Sequence, residues 1–389
     1  MRVLFLTHSF PRHRGDMAGS FVLRLATALT RHDATVHVLA PATAAAPARD
    51  VIEGIPVSRF RYAPRALETL AYEGTMASQV LSSWRARVGL IGLVGAELGT
   101  AMDALRRDDY DIVHAHWWFP SGLAAMSASW WSGVPLITTL HGSDVRLGRT
   151  VAPARLLMRQ TLAASTRVTA VSSWLADEAQ AVTGGARPIV APMPVGDEFL
   201  DLAATLPRGD ALLFVGRLTL QKGLDILLRA LALLDHDVML DVVGDGEERS
   251  SLETLCASLG LEARVRWHGR QPSSALPSFY QRASALVVPS AEEGLGLVAV
   301  EAQLCGTPVV AFASGGLVDV IRDGATGTLV HDRSADALAS VIKALRARPD
   351  RGSAQAQIAR DEARARFGSG PVASRYLDIY RQAIAQPNR

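Results

Sequence analysis

Short, uninterrupted apolar runs alternate with helix-like segments along most of the chain. Such runs are typical of parallel strands buried on both faces of a sheet, and their alternation with helices predicts repeated βαβ units. The pattern therefore predicts an α/β fold with doubly wound parallel sheets. In the first half of the chain the predicted strands are Val3–Thr7, Val36–Ala40, Ile112–His114, Leu136–Thr139 and Val168–Val171.

A stretch rich in proline and glycine, residues 191–210, is typical of a linker and separates this series from a second one. With 389 residues the chain is long enough for about two domains. We expect two Rossmann-like domains, 1–195 and 208–370, facing each other across a cleft, with a C-terminal helix over 371–385 packing back on the first. The second series of predicted strands is Ala211–Val215, Val238–Val243, Val265–Trp267, Ala285–Val288 and Pro308–Ala311.

Composition excludes several classes of function. The net charge is only +2, so no strong field draws the whole chain to nucleic acid. The two cysteines, Cys256 and Cys305, lie far apart, and with no signal peptide we expect reduced thiols in a cytoplasmic protein. No cluster of cysteine and histidine indicates a metal site. The first strand is not followed by G-x-G-x-x-G, which disfavours an NAD-dependent enzyme.

The longest apolar run lies near Val88–Met102 and is interrupted by Glu97. It falls short of the roughly 18 residues that a membrane span needs. Trp84, Arg85 and Arg87 precede it, so two interpretations stay open. A helix that faces the core is the preferred one. A basic amphipathic helix on the inner face of a membrane is the other, and it would make the protein a peripheral one.

The loop after the strand Ala211–Val215 reads GRLTLQKGLD and carries Arg217 and Lys222. The free amides of a helix N-terminus attract anions, and an arginine can bridge two phosphate oxygens. Lys222 is also unusual because the chain has only one other lysine, Lys343. These residues predict a diphosphate site, with a solvated, positively charged turn as the alternative.

The segment EEGLGLVAVEA, residues 292–302, places Glu293 and Glu301 around an almost entirely apolar run. A buried carboxylate is costly unless it is paired, and carboxylates are good acceptors for sugar hydroxyls. The amides of Gly294–Leu297 lie where a helix begins and can meet a phosphate. We therefore predict a sugar-nucleotide site. The alternative is that Glu293 caps a helix and Glu301 lies on the surface.

Candidate residues in the first half are fewer. His141, in LHGSD after the strand Leu136–Thr139, is expected to project from a strand end and donate a hydrogen bond to a ligand oxygen, with a satisfied turn histidine as the alternative. His114 and His116, in HAHWWFPSG, lack a third metal ligand, so a structural or acceptor-lining role is favoured. The segments 109–111 and 235–237 have the form Asp-x-Asp but precede strands, and are interpreted as solvated turns.

Eight motifs in this order resemble those of glycosyltransferase family 4: FPRHRGDMAGSF, HAHW, HGSD, GRLTLQKG, VGDGEE, EEGLGLVAVEA, GTPVV and SGG. The resemblance runs from residue 1 to about residue 330. It implies the GT-B fold, a nucleotide-diphospho-sugar donor and retention of the anomeric configuration. The chain departs from the family pattern at Asp319, where many members have glutamate, and in a loop that has Gly15 and Gly19 in place of adjacent glycines.

The resemblance also implies roles for individual residues. Arg217 and Lys222 would hold the donor diphosphate, and Glu293 and His141 would contact the transferred sugar. Glu301 would bind the ribose, and the segment Trp267–Arg270 would border the base. The implied donor contacts are Gly216, Glu301, Gly294, Leu295, Gly296, Leu297, Gly15 and Arg270, and the implied acceptor-side residues are Gly19, His116, Trp117 and Asp144.

The predicted activity is that of a retaining glycosyltransferase, a hexosyltransferase of the EC 2.4 class. Such an enzyme would use UDP or GDP sugars, would need no metal or other cofactor, and would modify a glycan, a lipid-linked sugar or a small molecule. One alternative is a nucleotide-sugar 2-epimerase of the same fold, which would form product from the donor alone. The other is a non-catalytic nucleotide-sugar-binding protein, which would bind the donor without transfer.

Overall fold

The computed structural model of the protein describes residues 1–43, 46–72, 76–202, 206–348, 350 and 352–386. Residues 203–205 of the predicted linker lie outside the described residues. The chain divides into two compact units. Unit 1 comprises Met1–Pro194 and Ser369–Arg389, and unit 2 comprises Val195–Gly368.

Unit 1 is built on an eight-stranded sheet in the order β3-β4-β2-β1-β5-β6-β7-β8. All neighbouring strands are parallel except β3 and β4, which pair antiparallel. The strands are β1 Arg2–Leu6, β2 Thr35–Pro41, β3 Arg49–Ile52, β4 Ile55–Phe60, β5 Ile112–His116, β6 Leu136–Leu140, β7 Arg167–Ala170 and β8 Ile189–Val190. The helices up to residue 194 are α1 Ser20–Thr30, α2 Met76–Ser82, α3 Trp84–Arg107, α4 Leu123–Ser132, α5 Ser143–Thr150, α6 Ala152–Ala164 and α7 Ser173–Thr183.

Unit 2 is built on a six-stranded parallel sheet in the order β11-β10-β9-β12-β13-β14. Its strands are β9 Leu212–Val215, β10 Leu240–Val243, β11 Val265–Gly269, β12 Ala285–Val288, β13 Val309–Phe312 and β14 Thr328–Val330. Its helices are α8 Asp197–Leu200, α9 Leu224–Ala232, α10 Arg249–Ser258, α11 Leu276–Arg282, α12 Leu297–Leu304, α13 Leu317–Val320, α14 Ala335–Ala347 and α15 Ser353–Phe367.

Both sheets reverse their strand order once, and these reversals locate the candidate site residues. In unit 1 the chain steps outward from β1 to β2 and then from β5 to β7 on the other side, so the reversal lies between β1 and β5. In unit 2 the corresponding reversal lies between β9 and β12. Loops diverge at such a point, and ligands bind there beyond the carboxyl ends of the strands. The apolar runs β5, β6, β12 and β13 are buried along their whole length, as parallel strands covered on both faces should be.

The last helix, α16 (Ser369–Ala385), packs against α1 within unit 1. Two of its tyrosines, Tyr376 and Tyr380, are fully buried. The Tyr380 hydroxyl lies 2.7 Å from Nδ1 of His114, which is itself buried on β5. Helix α16 therefore belongs to the core of the unit that contains β1.

The hairpin of β3 and β4 was not predicted from the sequence. Glu53 and Gly54 form its two-residue turn, both with positive φ angles of 49° and 83°. A two-residue turn of this type matches the twist of antiparallel strands. The Glu-Gly pair between two short apolar runs could therefore have predicted the hairpin. The proline at position 56 and the shortness of β3 weakened this signal.

The run at Val88–Met102 was interpreted as a helix that faces the core, and this holds for only one face of α3. Its buried residues are Gly89, Leu93, Glu97 and Ala101. The opposite face is exposed, with 69% of Trp84, 58% of Val88 and 75% of Ile91 accessible. The apolar run alone is shorter than a membrane span, but the helix that contains it has 24 residues. Among the described residues, α3 alone is long and apolar enough to cross a membrane as judged by length and composition, and 22% of its apolar window is buried.

Candidate functional site

The loops that follow β9 and β12 bring the predicted residues of unit 2 together. The first loop carries Arg217 and a short 3₁₀ turn, Leu220–Lys222. The second runs from β12 to α12 and carries Glu293. Because β9 and β12 are hydrogen-bonded neighbours at the reversal of the sheet, residues 71 apart in sequence meet here.

Lys222 and Glu293 form an ion pair, with 2.5 Å between Nζ and Oε1. The side chains are 25% and 10% exposed, respectively. Ser290 donates a second hydrogen bond to the same carboxylate oxygen, at 2.8 Å. The expected cost of burying Glu293 is thus offset by a cation and a hydroxyl. The helix-capping alternative for Glu293 is wrong, because the residue before α12 is Gly296 and no side chain caps this end.

Glu301 lies inside α12 and is 5% exposed, so the alternative of a surface carboxylate is also wrong. The hydroxyl of Tyr280, from α11, donates to its Oε2 at 2.9 Å. Tyr280 is fully buried and was not predicted as a site residue. Its contribution depends on the packing of α11 against α12, which no local pattern in the sequence reveals.

Arg217 and Arg270 are exposed at the ends of β9 and β11. The guanidinium of Arg217 makes no hydrogen bond or ion pair within the described part of the chain. Gly216 directly follows β9, where its amide donates to the carbonyl of Val243 at 3.0 Å. The remaining predicted donor residues, Gly294, Leu295, Gly296 and Leu297, form the turn into α12, and Leu297 is its first residue.

The SGG segment, one of the eight motifs of the resemblance, supports the Glu293 loop directly. The amide of Gly316 donates to the carbonyl oxygen of Glu293 at 2.7 Å. Gly315 has a φ of +57°, and a Cβ there would lie 2.3 Å from the same carbonyl oxygen. Glycine is required at Gly315 both by its backbone conformation and by the closeness of the neighbouring backbone.

Replacing Gly315 with alanine should therefore destabilise unit 2 by more than the backbone strain alone. Strain at a left-handed position costs about 1–2 kcal/mol, and the overlap with the Glu293 carbonyl adds to it. Gly324→Ala is the matched control, because Gly324 has a φ of +72° with open space around it. Urea denaturation of the two variants measures the difference. Equal losses of unfolding free energy would show that the Glu293 loop does not depend on this contact.

In unit 1, His116 and His141 meet because their strands are adjacent. His116 is the last residue of β5, and His141 directly follows β6, the parallel neighbour of β5. His116 Nδ1 lies 3.2 Å from His141 Nε2. The ring of Trp117 lies against His141, with 4.5 Å between the ring centroids, and Phe21 flanks the same ring at 5.0 Å.

Four histidines lie close together here, because His8 packs on Trp117 and His114 packs on His116, which contacts His141. All four rings are neutral at ordinary pH. Burial lowers the pKa of His8 to about 4 and that of His114 to about 3. Burial, and secondarily the neighbouring histidines, also place the pKa values of His116 and His141 well below their usual range. Desolvation disfavours a charged ring, so these side chains act as neutral donors or acceptors.

Asp144 was predicted on the acceptor side, but its carboxylate is engaged by the backbone. It is 3% exposed, and its Oδ1 accepts hydrogen bonds from the amides of His141, Gly142 and Val145. Its Oδ2 accepts from the amide of Trp118 at 3.2 Å. Burial raises its pKa, and these four donors oppose the rise. Asp144 thus fixes the turn that carries His141 to the segment after β5.

The two glycines of the N-terminal loop have different surroundings. Gly19 precedes α1, and a Cβ there would lie 2.2 Å from the carbonyl oxygen of Ser9. Gly15 is exposed with open space around it. An ion pair of 2.6 Å between Arg12 and Asp16 closes the loop. Burial opposes the ionisation of Asp16, but hydrogen bonds from Arg12 and from the backbone lower its pKa to about 2.

Comparisons with known proteins match both halves of the chain to glycosyltransferases. Residues 18–196 match the family model described as Glycosyltransferase Family 4, and residues 206–362 match Glycosyl transferases group 1. A D-inositol 3-phosphate glycosyltransferase of Xylanimonas cellulosilytica is 32% identical over 95% of this chain and 93% of its own length. The enzyme of the same name from Streptomyces coelicolor is 30% identical over 100% of this chain and 93% of its own.

Solved structures show the same architecture. A sucrose-phosphate synthase from Thermosynechococcus elongatus superposes with a TM-score of 0.83 and 23% identity, covering 99% of this chain and 100% of its own. The Anabaena protein HepE, solved in complex with UDP-glucose, has a TM-score of 0.74 and 23% identity, covering 98% and 100%. At these identities the likeness shows a common fold.

Proposed function

The chain belongs to glycosyltransferase family 4, and we propose that it moves a sugar from a nucleotide-diphospho-sugar to an acceptor hydroxyl with retention of configuration. It has the GT-B fold and is a glycosyltransferase of the EC 2.4 class.

The ion pair of Lys222 and Glu293 is the observation that carries it. The pair lies at the reversal of the unit 2 sheet, where ligands of such sheets bind. It combines a cation suited to a diphosphate with a carboxylate suited to sugar hydroxyls. Arg217, exposed on the same loop, adds a second cation, and the N-terminal amides of α12 add uncharged donors.

Charge stabilisation dominates the proposed mechanism. Arg217 and Lys222 neutralise the diphosphate as it leaves with the C1–O bond electrons, so the proposal includes no metal or other cofactor. Glu293 accepts hydrogen bonds from the transferred sugar, and Glu301, oriented by Tyr280, accepts them from the ribose. His141 donates to the transferred sugar.

The acceptor oxygen attacks C1 on the face from which the diphosphate departs. A new C1–O bond forms as the bond to phosphate breaks, and the acceptor proton passes to the departing phosphate oxygen. No side-chain nucleophile takes part. We propose that the protein acts in the cytoplasm, where nucleotide sugars are available to it.

UDP is the first nucleotide to test, because the structural neighbour HepE was solved with UDP-glucose. The acceptor to try first is a phosphorylated polyol, since D-inositol 3-phosphate appears in the names of the relatives. A glycan or a lipid-linked sugar is the next class to assay. Product formed from the donor alone would favour the epimerase, and binding without any turnover would favour a non-catalytic protein.

A thermal-shift titration with UDP, GDP, ADP and TDP, and then with their sugars, tests the donor site. A nucleotide at 100 times its dissociation constant adds about 2.7 kcal/mol to the free energy of unfolding. We expect one nucleotide to stabilise the wild-type protein and to lose this effect in Lys222→Ala. If none of the four stabilises the wild type, the nucleotide-sugar proposal fails.

We also propose that the exposed face of α3 contacts an anionic membrane surface. Trp84, Val88 and Ile91 lie on one side of the helix at a spacing of four and three residues, and all three are exposed. Arg85 and Arg87 flank them, and no acidic residue occurs from Trp84 to Ala96. An apolar stripe with basic flanks suits the interface of an anionic bilayer.

Replacing Trp84 and Ile91 together with glutamate should lower binding to phosphatidylglycerol vesicles by about 10-fold or more, because it removes apolar contacts and adds repulsion. Vesicle co-sedimentation measures the change. Trp130→Glu is the control, since Trp130 is 87% exposed on α4 and lies outside the proposed face. Unchanged sedimentation of the double variant, or equal binding of the wild type to neutral vesicles, would remove the membrane proposal.

A further inference from the structure

The contact between His116 and His141 contains a single proton. Two nitrogens lie 3.2 Å apart, so one of them donates and the other accepts. Burial lowers the pKa of both rings well below their usual range, and each ring therefore has one N–H and one bare nitrogen. The direction of this hydrogen bond decides whether the other nitrogen of His141, Nδ1, presents a proton or a lone pair to a ligand.

Only two arrangements satisfy this contact. In the first, His116 donates from Nδ1, its own Nε2 is bare, and His141 carries its proton on Nδ1. In the second, His141 donates from Nε2, its Nδ1 is bare, and His116 carries its proton on Nε2. The surroundings of His116 Nε2 distinguish the two.

His116 Nε2 is buried and has no hydrogen-bond partner in the described part of the chain. In the second arrangement this atom would be a buried N–H without an acceptor. Among backbone groups, orphaned buried N–H donors are rarer than carbonyl oxygens that lack a donor, and we apply the same asymmetry to the ring nitrogens. The first arrangement leaves only a lone pair unsatisfied, and it is the one that the surroundings favour.

We propose that His116 is a positioning residue, which donates from Nδ1 to His141 Nε2 and thereby keeps the ring proton of His141 on Nδ1. His141 is partly exposed, and its Nδ1 makes no hydrogen bond to the described residues. The rings of Trp117 and Phe21 flank it and restrict its rotation. The free nitrogen of His141 is thus a fixed hydrogen-bond donor.

This inference rests on the proposed function for its consequence but not for its geometry. The phosphate oxygens and the ring oxygen of a sugar-nucleotide donor present only lone pairs, which an N–H can bind and a bare ring nitrogen cannot. With the opposite tautomer, His141 could bind only a ligand group that donates. His116 acts through His141 and touches no reacting atom.

Nitrogen-15 NMR of the ligand-free protein, with histidine ring nitrogens labelled, tests the tautomer without any substrate. His141→Asn identifies the signals of His141 by their loss. We expect the Nδ1 of His141 to be protonated and its Nε2 to be bare in the wild type. A proton on Nε2 of His141 would overturn the proposal, whatever the enzyme does.

Three variants test the consequence. His116→Leu removes the donor, and we expect His141 to lose its single tautomer. We expect kcat to fall by about 10- to 100-fold, by analogy with the partners that orient metal-binding histidines. His116→Asn places an amide N–H near the former Nδ1 and should restore both properties in large part. His32→Asn, at the end of α1, is the control and should change neither.

The outcomes separate this inference from the proposed function. A His116→Leu protein that folds, keeps the wild-type tautomer of His141 and keeps its kcat would overturn the positioning role. If the NMR result is as expected but no nucleotide sugar is turned over, the tautomer assignment stands and the proposed function fails.

Discussion

Replacing Lys222 with alanine should lower the rate of sugar transfer by about 10²- to 10³-fold, the loss typical of one preorganised charge stabiliser. Lys222 would meet the leaving diphosphate, where negative charge grows in the transition state. In the ligand-free protein it also offsets the buried charge of Glu293, at 2.5 Å. The variant therefore loses a catalytic cation, and among the described residues it leaves the Glu293 carboxylate with the hydroxyl of Ser290 as its one side-chain donor.

The chain offers a matched control for this experiment. Lys343 is its only other lysine and lies exposed on α14, so Lys343→Ala removes the same charge elsewhere in unit 2. Initial rates with a saturating nucleotide sugar should be unchanged in this variant. A Lys222→Ala protein that folds and turns over at the wild-type rate would show that Lys222 does not stabilise the leaving diphosphate. A loss of rate with an unchanged nucleotide Kd would place its contribution in the transition state alone.

Replacing Glu97 with glutamine should remove a large pH dependence from the stability of unit 1. Glu97 is fully buried on α3, and neither carboxylate oxygen has a hydrogen-bond partner among the described residues. Burial raises its pKa from 4.5 to about 8, although the nearby hydroxyl of Ser121 opposes the shift. Glu97 is therefore a neutral carboxylic acid in the folded protein at pH 7.

The direction of the effect follows from proton binding. Between pH 4.5 and about 8 the unfolded chain ionises Glu97 and the folded protein does not. The unfolded state then binds fewer protons, so the free energy of unfolding falls by about 1.4 kcal/mol for each pH unit. Below pH 4.5 this contribution is complete, and by pH 8 roughly 4 kcal/mol has been lost. Glutamine does not titrate, so the variant lacks this loss.

Urea denaturation from pH 5 to pH 8 measures the difference between Glu97→Gln and the wild type. Other titrating groups are common to both proteins and cancel in the difference. Glu53→Gln, in the exposed turn between β3 and β4, is the control and should follow the wild-type curve. A difference between Glu97→Gln and the wild type that stays constant with pH would show that Glu97 is ionised in the folded protein.

The sequence by itself determined the sheets and the chemistry that their loops carry. Continuous apolar runs such as β5 and β12 predict buried parallel strands, because only a strand covered on both faces needs apolar residues at every position. Loops that follow such strands lie at the edge of the sheet where ligands bind. Arg217, Lys222 and Glu293 could therefore be predicted as candidates, because each follows a predicted strand in the sequence. These signals are local in the sequence and do not depend on how the elements pack.

Only the tertiary structure decided which hydrogen-bond and ion-pair partners these side chains have. The pairing of Lys222 with Glu293, the Tyr280 hydroxyl on Glu301 and the contact of His116 with His141 each join residues that lie 21 to 71 positions apart. Asp144 was expected beside the acceptor, yet four backbone amides engage it. One face of α3 remains exposed although its composition suited a core helix. Hydrogen-bond partners and exposure depend on which elements become neighbours, and strand order and helix packing set this, whereas the local pattern of residues does not.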